Sequence, residues 1–474
     1  MKKVFALLLI VLFSVLSCAI NPVTGKKELS LISENEEIAL GKQTDIEVRQ
    51  QYGAYADPEL SAYVQSIGLA LVPHTHRPQL AYQFIVLDTP VVNAFAVPGG
   101  YVYVTRGILA LMGSEAELAV VLGHELGHVN ARHSVRRMSE LMLVQVGLAV
   151  GSALSETFAK VAGFAGVGVQ LLFLKFSRDD ERQADVLGVD YARKGVYNPG
   201  EMIAFFASLE KLGDLSGGHA LPGFLSTHPL TSERIQNVKQ MITATDQTLE
   251  VKERPYLNHL DGLVYGDDPR QGYVEGGRFY HPDMAFSFVI PDGWKVVNTP
   301  TQVLLSSPDE KAALVLQAEK TAEDLPAYAR EKAAQIKGSQ FVSDDSLNVP
   351  GLASVHQVYR VDQQQGGPLS LRLSAIRKGD LVYTFSAVSS SSDFPRFNPE
   401  FRRSAQSFAQ LGDPAFLQRR PRKVRLVEAN GQQTLPEIFS SSGVAKDVWP
   451  SVAILNGLEL GAKPPQGRLI KVVR

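Results

Sequence analysis

The sequence predicts an α+β protein: a mainly helical domain with a small β-sheet, then a second α+β domain and a small C-terminal unit. Three observations carry this prediction. Apolar residues recur at helical spacing in long segments before residue 245, short β-type runs gather at 84–105 and again beyond 279, and composition changes near 250 and 419. At 474 residues, 45% apolar and 20% charged, the chain is long enough for two or three domains and too apolar for wholesale disorder. Lys and Arg total 47 against 49 Asp and Glu, a net of −2, so no basic excess exists to hold a nucleic acid.

Residues 1–17 read as a secretory signal. Lys2 and Lys3 precede an apolar or small run from Val4 to Ser17. As helix that run spans only ~21 Å, too short to cross a membrane comfortably. Val15-Leu16-Ser17-Cys18 resembles the bacterial lipobox, which implies cleavage before Cys18 and its lipidation. Cys18 is the chain's single cysteine, so no internal disulfide forms. Ala19 follows it, which by resemblance to Gram-negative sorting implies the periplasmic side of the outer membrane, with the acyl chains as anchor.

Residues 18–32 are expected to be a tether, and 33–250 the first domain. Its first helix starts at Ser33, and Asp57-Pro58 opens a second carrying Leu60, Val64, Ile67 and Leu71. Phe84–Leu87, Val91–Ala96 and Tyr101–Thr105 are strands, the last two joined by Val97-Pro98-Gly99-Gly100. Ser114 and Glu117 form a capping box that opens a long apolar helix. Further helices are expected at 177–193, 199–212 and 232–243. Two apolar arms, Leu141–Leu154 and Val161–Leu174, read as a packed hairpin or, less favoured, a membrane-dipping one. Residues 251–277 look like a linker. An α+β domain follows over 278–418, with strands at Phe279–Ile290, Ala313–Gln317, Ala353–Val361 and Leu381–Ala387 and a helix at Leu325–Ile336. The last unit, 419–474, opens on Arg419, Arg420, Arg422, Lys423 and Arg425 and reads strand, helix, helix, strand.

The chemistry concentrates in His124-Glu125-Leu126-Gly127-His128. On a helix, residues four apart share a face, so both imidazoles reach one metal ion, and Glu125 is near enough to take a proton from a water there. Leu118, Ala119, Val120, Val121, Leu122 and Gly123 before it mark the helix as buried, where a glutamate between histidines needs a reason. A catalytic zinc takes three protein ligands, and Glu181 is the best third. Glu181, Ala184, Asp185 and Gly188 fall on one helical face. The small pair admits a second helix, and Asp185 is placed to accept a ring N–H from His124 or His128. Asp179, Asp180 and Glu181 also suit a helix N-terminus on their own, and the residues alone leave these readings level. His133, five residues past His128, is off its face and reads as structural.

His124–His128 with Glu117–Gly123 before it, Glu181-Arg182-Gln183-Ala184-Asp185, and Asn93-Ala94-Phe95-Ala96-Val97-Pro98-Gly99-Gly100 together resemble the zincin metalloprotease family of HtpX, the CAAX prenyl endoproteases and BepA-type periplasmic lipoproteins. The likeness covers roughly residues 30–245 and is closest to the lipoprotein branch. It implies one Zn²⁺ per chain on His124, His128 and Glu181, with Glu125 as general base. It also implies that His228, in Ser226-Thr227-His228-Pro229, approaches the zinc at rest or steadies the oxyanion, a role Arg234 could share. A polypeptide substrate is expected to add as a strand along Asn93, Ala94, Phe95 and Ala96. Unfolded or misassembled envelope proteins are the substrates this implies. The 419–474 unit, with Leu455-Asn456-Gly457-Leu458 and Gly467–Val472, resembles a LysM module, which implies peptidoglycan as a partner. The competing reading is a non-proteolytic envelope scaffold or peptidoglycan-binding lipoprotein with a latent zinc site.

Overall fold

The computed structural model describes residues 18–149, 175–215, 223–363 and 367–474. The expected signal at 1–17, the arm Val161–Leu174 and the end of the arm Leu141–Leu154 lie outside the described residues. The chain divides into two units. One joins residues up to Asp267 with Arg422–Arg474; the other is Asp268–Pro421.

The first unit does not begin with a loose tether. β1 (Cys18–Ile20) and β2 (Lys27–Leu29) form an antiparallel hairpin in which Cys18 faces Leu29. Buried Asn21 donates to the Ala131 carbonyl, and Ser139 Oγ accepts from Leu31 N–H. Polar side chains paired across more than 100 residues fix this segment, a signal that local composition does not carry.

α1 (Glu34–Tyr52) starts at a full capping box between Ser33 and Glu36, and α2 (Pro58–Leu71) at the Asp57 cap, both as expected. β3 (Gln83–Leu87), β4 (Ala94–Val97) and β5 (Tyr101–Thr105) form one sheet in the order β3-β5-β4. β3 runs parallel to β5, and β4 antiparallel to it. That places β4 at an edge. The strand expected from Val91 begins only at Ala94, since Val91 O and Asn93 O are taken by the Thr105 hydroxyl. Side chains alternate across β4: Ala94 belongs to the main core, while Phe95 and Val97 pack with Val48, Ile85, Leu87 and Tyr103 on the opposite side.

α3 (Arg106–Leu111) leads into α4 (Glu115–Asn130), the expected apolar helix, buried at every position. Ser114 Oγ accepts from Glu117 N–H, but the box is not reciprocal: the Glu117 carboxylate takes the Gly113 N–H instead. α4 ends where Arg132 takes a left-handed conformation (φ 55°), and α5 (His133–Ala149) sets off in a new direction. Then come α6 (Arg178–Lys194), α7 (Glu201–Leu215), α8 (Gly223–Thr227) and α9 (Ser232–Met241). α6 lies directly on α4. A Cβ added at Gly188 would come within 3.0 Å of His124 N, and one at Gly127 within 3.1 Å of Ala184 Cα. The helices meet backbone to backbone because small residues leave no side chain between them.

Residues 251–277 are not a linker. α10 (Glu253–Leu260) buries Tyr256, Leu257 and Leu260 in the main core, and β6 (Val264–Tyr265) pairs with the strand Arg422–Glu428. Nor is 419–474 a separate unit. Its strand, helix, helix, strand order is observed, as Arg422–Glu428, Leu435–Ser441, Trp449–Leu455 and Leu469–Val473, with the two strands antiparallel. Val424, Ile438, Phe439, Ile470 and Val472 share one core with Leu118 and Val121 of α4. Lys471 is fully buried: its Nζ donates to Ala110 O (2.8 Å) and Met112 O (2.7 Å) at the end of α3. Burial pushes the Lys471 ammonium below its ordinary value and the Glu117 carboxyl above its own, and the charge of each opposes the shift of the other.

The second unit carries a seven-stranded antiparallel sheet and a four-stranded one. Phe279–Ile290 is two strands, Arg278–His281 and Phe286–Val289, because the intervening turn reverses the chain at Ala285 (φ 49°). Phe286, Phe288, Phe385, Phe397 and Phe401 fill its core. A half-buried histidine, His281, and a buried one, His356, give this unit an acid sensitivity. Burial pushes His281 down to about 4, and burial, then the Arg372 charge, does the same to His356. Both fall below the unfolded value near 6.5, so the unfolded chain binds more protons between those limits. Stability contributed by the neutral rings is complete above pH ~6.5 and is lost as pH falls toward 4. Protection factors of the strands Ser354–Val361 and Leu369–Lys378, corrected for the intrinsic pH dependence of amide exchange, should fall as pH drops across that window, and a His281→Gln/His356→Gln variant should show a flatter dependence.

Candidate metal centre

His124 and His128 lie one turn apart on α4 with their Nε2 atoms 3.1 Å from each other. α6 brings Glu181 opposite: Oε2 is 3.6 Å from His124 Nε2, and Oε1 is 3.6 Å from His128 Nε2. The turn after α8 delivers His228, whose Nδ1 is 3.4 Å from His124 Nε2 and 2.9 Å from Glu181 Oε1. All four residues are buried, and one ligand atom from each lies within 4.8 Å of the others.

These donors fit one zinc ion. Metal–ligand bonds of 2.0–2.1 Å in a tetrahedron put neighbouring donors ~3.3 Å apart; the five separations given above run from 2.9 to 3.6 Å, and none among the four ligand atoms exceeds 4.8 Å. Three nitrogens and a carboxylate are a donor set zinc accepts. The His128 ring is also held in its ligand form: burial, then the neighbouring imidazoles, keep it well below its usual pKa and therefore neutral. Among the described residues, Glu125 Oε1 has no hydrogen-bond donor although the residue is 1% exposed. A buried carboxylate oxygen left over beside such a cluster calls for a positive partner.

Glu125 faces β4. Burial raises its carboxyl above the ordinary carboxylate value, His228 and His124 pull the other way, and the Ala96 backbone N–H bonds to it. Its Oε1 is 3.7 Å from His228 Nε2. Asp185 Oδ1 lies 3.0 Å from His124 Nδ1, and Arg234 grips both carboxylate oxygens: Nη2 donates to Oδ1 at 2.6 Å and Nε to Oδ2 at 2.7 Å. Arg234 Nη1 is also 2.8 Å from Glu181 Oε2. Burial opposes ionisation of Asp185 and Glu181, but Arg234 and the imidazoles outweigh it and hold both carboxyls low.

Of the residues singled out in the sequence, His124, Glu125, His128, Glu181, Asp185, His228 and Arg234 converge here. Arg234 differs from expectation. Its donors are engaged by Asp185, Glu181 and the Pro229 carbonyl, so it holds carboxylates in place rather than standing free for an oxyanion. In the 93–96 segment, Ala96 offers its N–H toward Glu125, whereas the Phe95 ring turns away onto Tyr103. Phe224 N–H donates to Val92 O, and its ring stacks on His228 at 4.8 Å, so α8 lies over the approach to β4. His133 was missed as a site neighbour. Its Nδ1 lies 2.9 Å from His128 Nδ1. The break at Arg132 swings it back, and no rule of helical faces reaches across that break.

Two imidazoles one turn apart, an adjacent glutamate and a carboxylate from a crossing helix define the zincin class of metalloproteases. Residues 58–242 match Peptidase family M48, and the chain carries a domain of that family. It is 31% identical to the beta-barrel assembly-enhancing protease of Escherichia coli K12 over 231 residues, 46% of each chain. The Yersinia pestis protein of the same name is 30% identical over 252 residues, 51% of this chain and 50% of that one. The mitochondrial metalloendopeptidase OMA1 of Arabidopsis thaliana is 29% identical over 216 residues, covering 46% and 42%. The chain thus spans about half the length of the curated relatives it matches.

Proposed function

We propose that this chain is a zinc metalloendopeptidase of the bacterial envelope that cuts unfolded or misassembled envelope proteins. The observation that carries the reading is the convergence of His124, His128 and Glu181 beside a Glu125 oxygen that accepts no hydrogen bond among the described residues. His124, His128 and Glu181 hold the ion, with Asp185 fixing His124. When bound, zinc supplies Lewis acidity, which makes water a stronger acid and polarises a carbonyl. Glu125 takes the proton of the attacking water and delivers it to the leaving amine nitrogen. The client lies as an extended strand against the outer edge of β4, where main-chain hydrogen bonds accept any locally unfolded sequence. His228 sits on Glu181 and near Glu125, so its ring must withdraw before a client enters; in turnover it steadies charge on the scissile oxygen. The relatives' name, beta-barrel assembly-enhancing protease, supports envelope clients. Cys18 carries the lipid that holds the enzyme at the periplasmic face of the outer membrane. No helix among the described residues is long and apolar enough to cross a membrane. Residues 419–474 contact peptidoglycan in this reading, as their β-α-α-β order supports.

The test is metal content with activity. The purified protein should hold one zinc, digest casein and stop when a chelator is added. Glu181→Ala should lower zinc affinity by at least 100-fold and remove digestion with it; full zinc occupancy in that variant would remove Glu181 from the ligand set.

A further inference from the structure

His124 and His128 are braced differently. The Nδ1 of His124 meets a carboxylate, Asp185, at 3.0 Å. The Nδ1 of His128 meets another imidazole, His133 Nδ1, at 2.9 Å. On its far side His133 Nε2 is 2.9 Å from Gln183 Oε1 and 3.5 Å from Asp180 Oδ1. His133 is completely buried, at 0% exposure.

We propose that His133 is a positioning residue that sets the tautomer and ring angle of His128 through a neutral imidazole-to-amide relay. The inference rests on His128 being a metal ligand. Its Nε2 faces the donor cluster and must present a lone pair there, so its proton is on Nδ1. Two nitrogens 2.9 Å apart share one proton, so His133 Nδ1 is bare and accepts. The proton of His133 is then on Nε2 and goes to Gln183 Oε1. Each proton in the chain is fixed by the one before it.

Geometry secures both ends. His133 is the first residue of α5, and Gln183 lies on α6 between Glu181 and Asp185. The relay ties the direction of α5 to the helix that carries the third ligand. Asp180, the alternative acceptor, is occupied by Arg136 and by the Ser177 N–H. Phe176 stacks on one face of the His128 ring at 4.1 Å. A neutral brace also has an electrostatic sense. Glu125, Glu181 and Asp185 already crowd the centre with carboxylates against one guanidinium, Arg234. A fourth carboxylate behind His128 would add buried negative charge that only the metal could balance.

The test uses the full-length apoprotein and measures zinc affinity by competition with a chromophoric chelator. His133→Leu should weaken zinc by 10- to 100-fold, the usual cost of losing a partner behind a ligating histidine. His133→Asn should restore affinity to within about threefold, because its amide oxygen falls where Nδ1 stood and still accepts from His128. Unchanged affinity in His133→Leu overturns the proposal, and so does an equal loss in the Leu and Asn variants, which would mark a purely structural role. Should the Leu variant fail to fold, Asn against Gln decides, since the Gln oxygen falls at the Nε2 position. Asn above Gln supports the relay, and equality overturns it. Failure of the wild-type protein to bind zinc at all would instead strike the function proposed above.

Discussion

Glu125→Gln should leave zinc affinity and the unfolding temperature nearly unchanged while cutting casein hydrolysis by about 10²- to 10⁴-fold, the range general acid–base catalysis contributes. The amide is isosteric with the carboxylate and still accepts the Ala96 N–H that bonds to Glu125. It has no basic oxygen to receive a proton from water, nor one to pass to a departing amine. Its effect separates chemistry from binding: the loss should appear in kcat, with KM for an unfolded client changed little. A variant that digests casein at the wild-type rate would end the assignment of Glu125 as base. The mutation also removes a buried charge whose carboxyl burial already holds above its usual value, so a small rise in thermal stability is expected in the zinc-free protein.

The second large effect is on stability and lies far from the metal in sequence. Lys471→Met keeps the apolar stem and deletes the ammonium, leaving Ala110 O and Met112 O without the donor they share and Glu117 without its counter-charge. Breaking one side of a buried charged arrangement costs about 3–5 kcal/mol. The unfolding transition of the Met1–Asp267/Arg422–Arg474 unit should fall by several degrees or more at neutral pH. Glu117→Gln in the same chain should recover part of the loss, because it removes the carboxylate that the first change stranded. Calorimetry of the two variants checks both statements. Equal stability of wild type and Lys471→Met would mean that the C-terminal strand sits on the catalytic domain without holding it.

How much of this was readable from residue order follows from the range of each interaction. The helix Glu115–Asn130 was legible because its cap, its apolar run and its paired histidines are all local. The partner helix was legible for a subtler reason. Ala184 and Gly188 announce a close approach, and the two helices do touch at Gly123, Gly127, Ala184 and Gly188. The short strands at 83–105 were found within a few residues, but not which face Phe95 would take, since alternation gives two faces and only the packing against Val48 and Tyr103 chooses. The family resemblance put Arg234 at the site, yet not its engagement with Asp185, because nothing local joins residues 49 apart. The segments expected as tether, linker and detached C-terminal unit share one cause of error. Gly, Pro and charge mark breaks between elements but do not say whether the elements beyond a break pack back onto what came before.

That packing has a consequence for the order of events in biogenesis. The core around the metal-bearing helix is completed by Ile470, Val472 and Lys471, and between them and Asp267 the chain makes an entire second unit. A nascent chain therefore holds its histidine pair long before it holds the strand that locks the surrounding core. The apolar shell around that pair closes only once the strand Leu469–Val473 has been made.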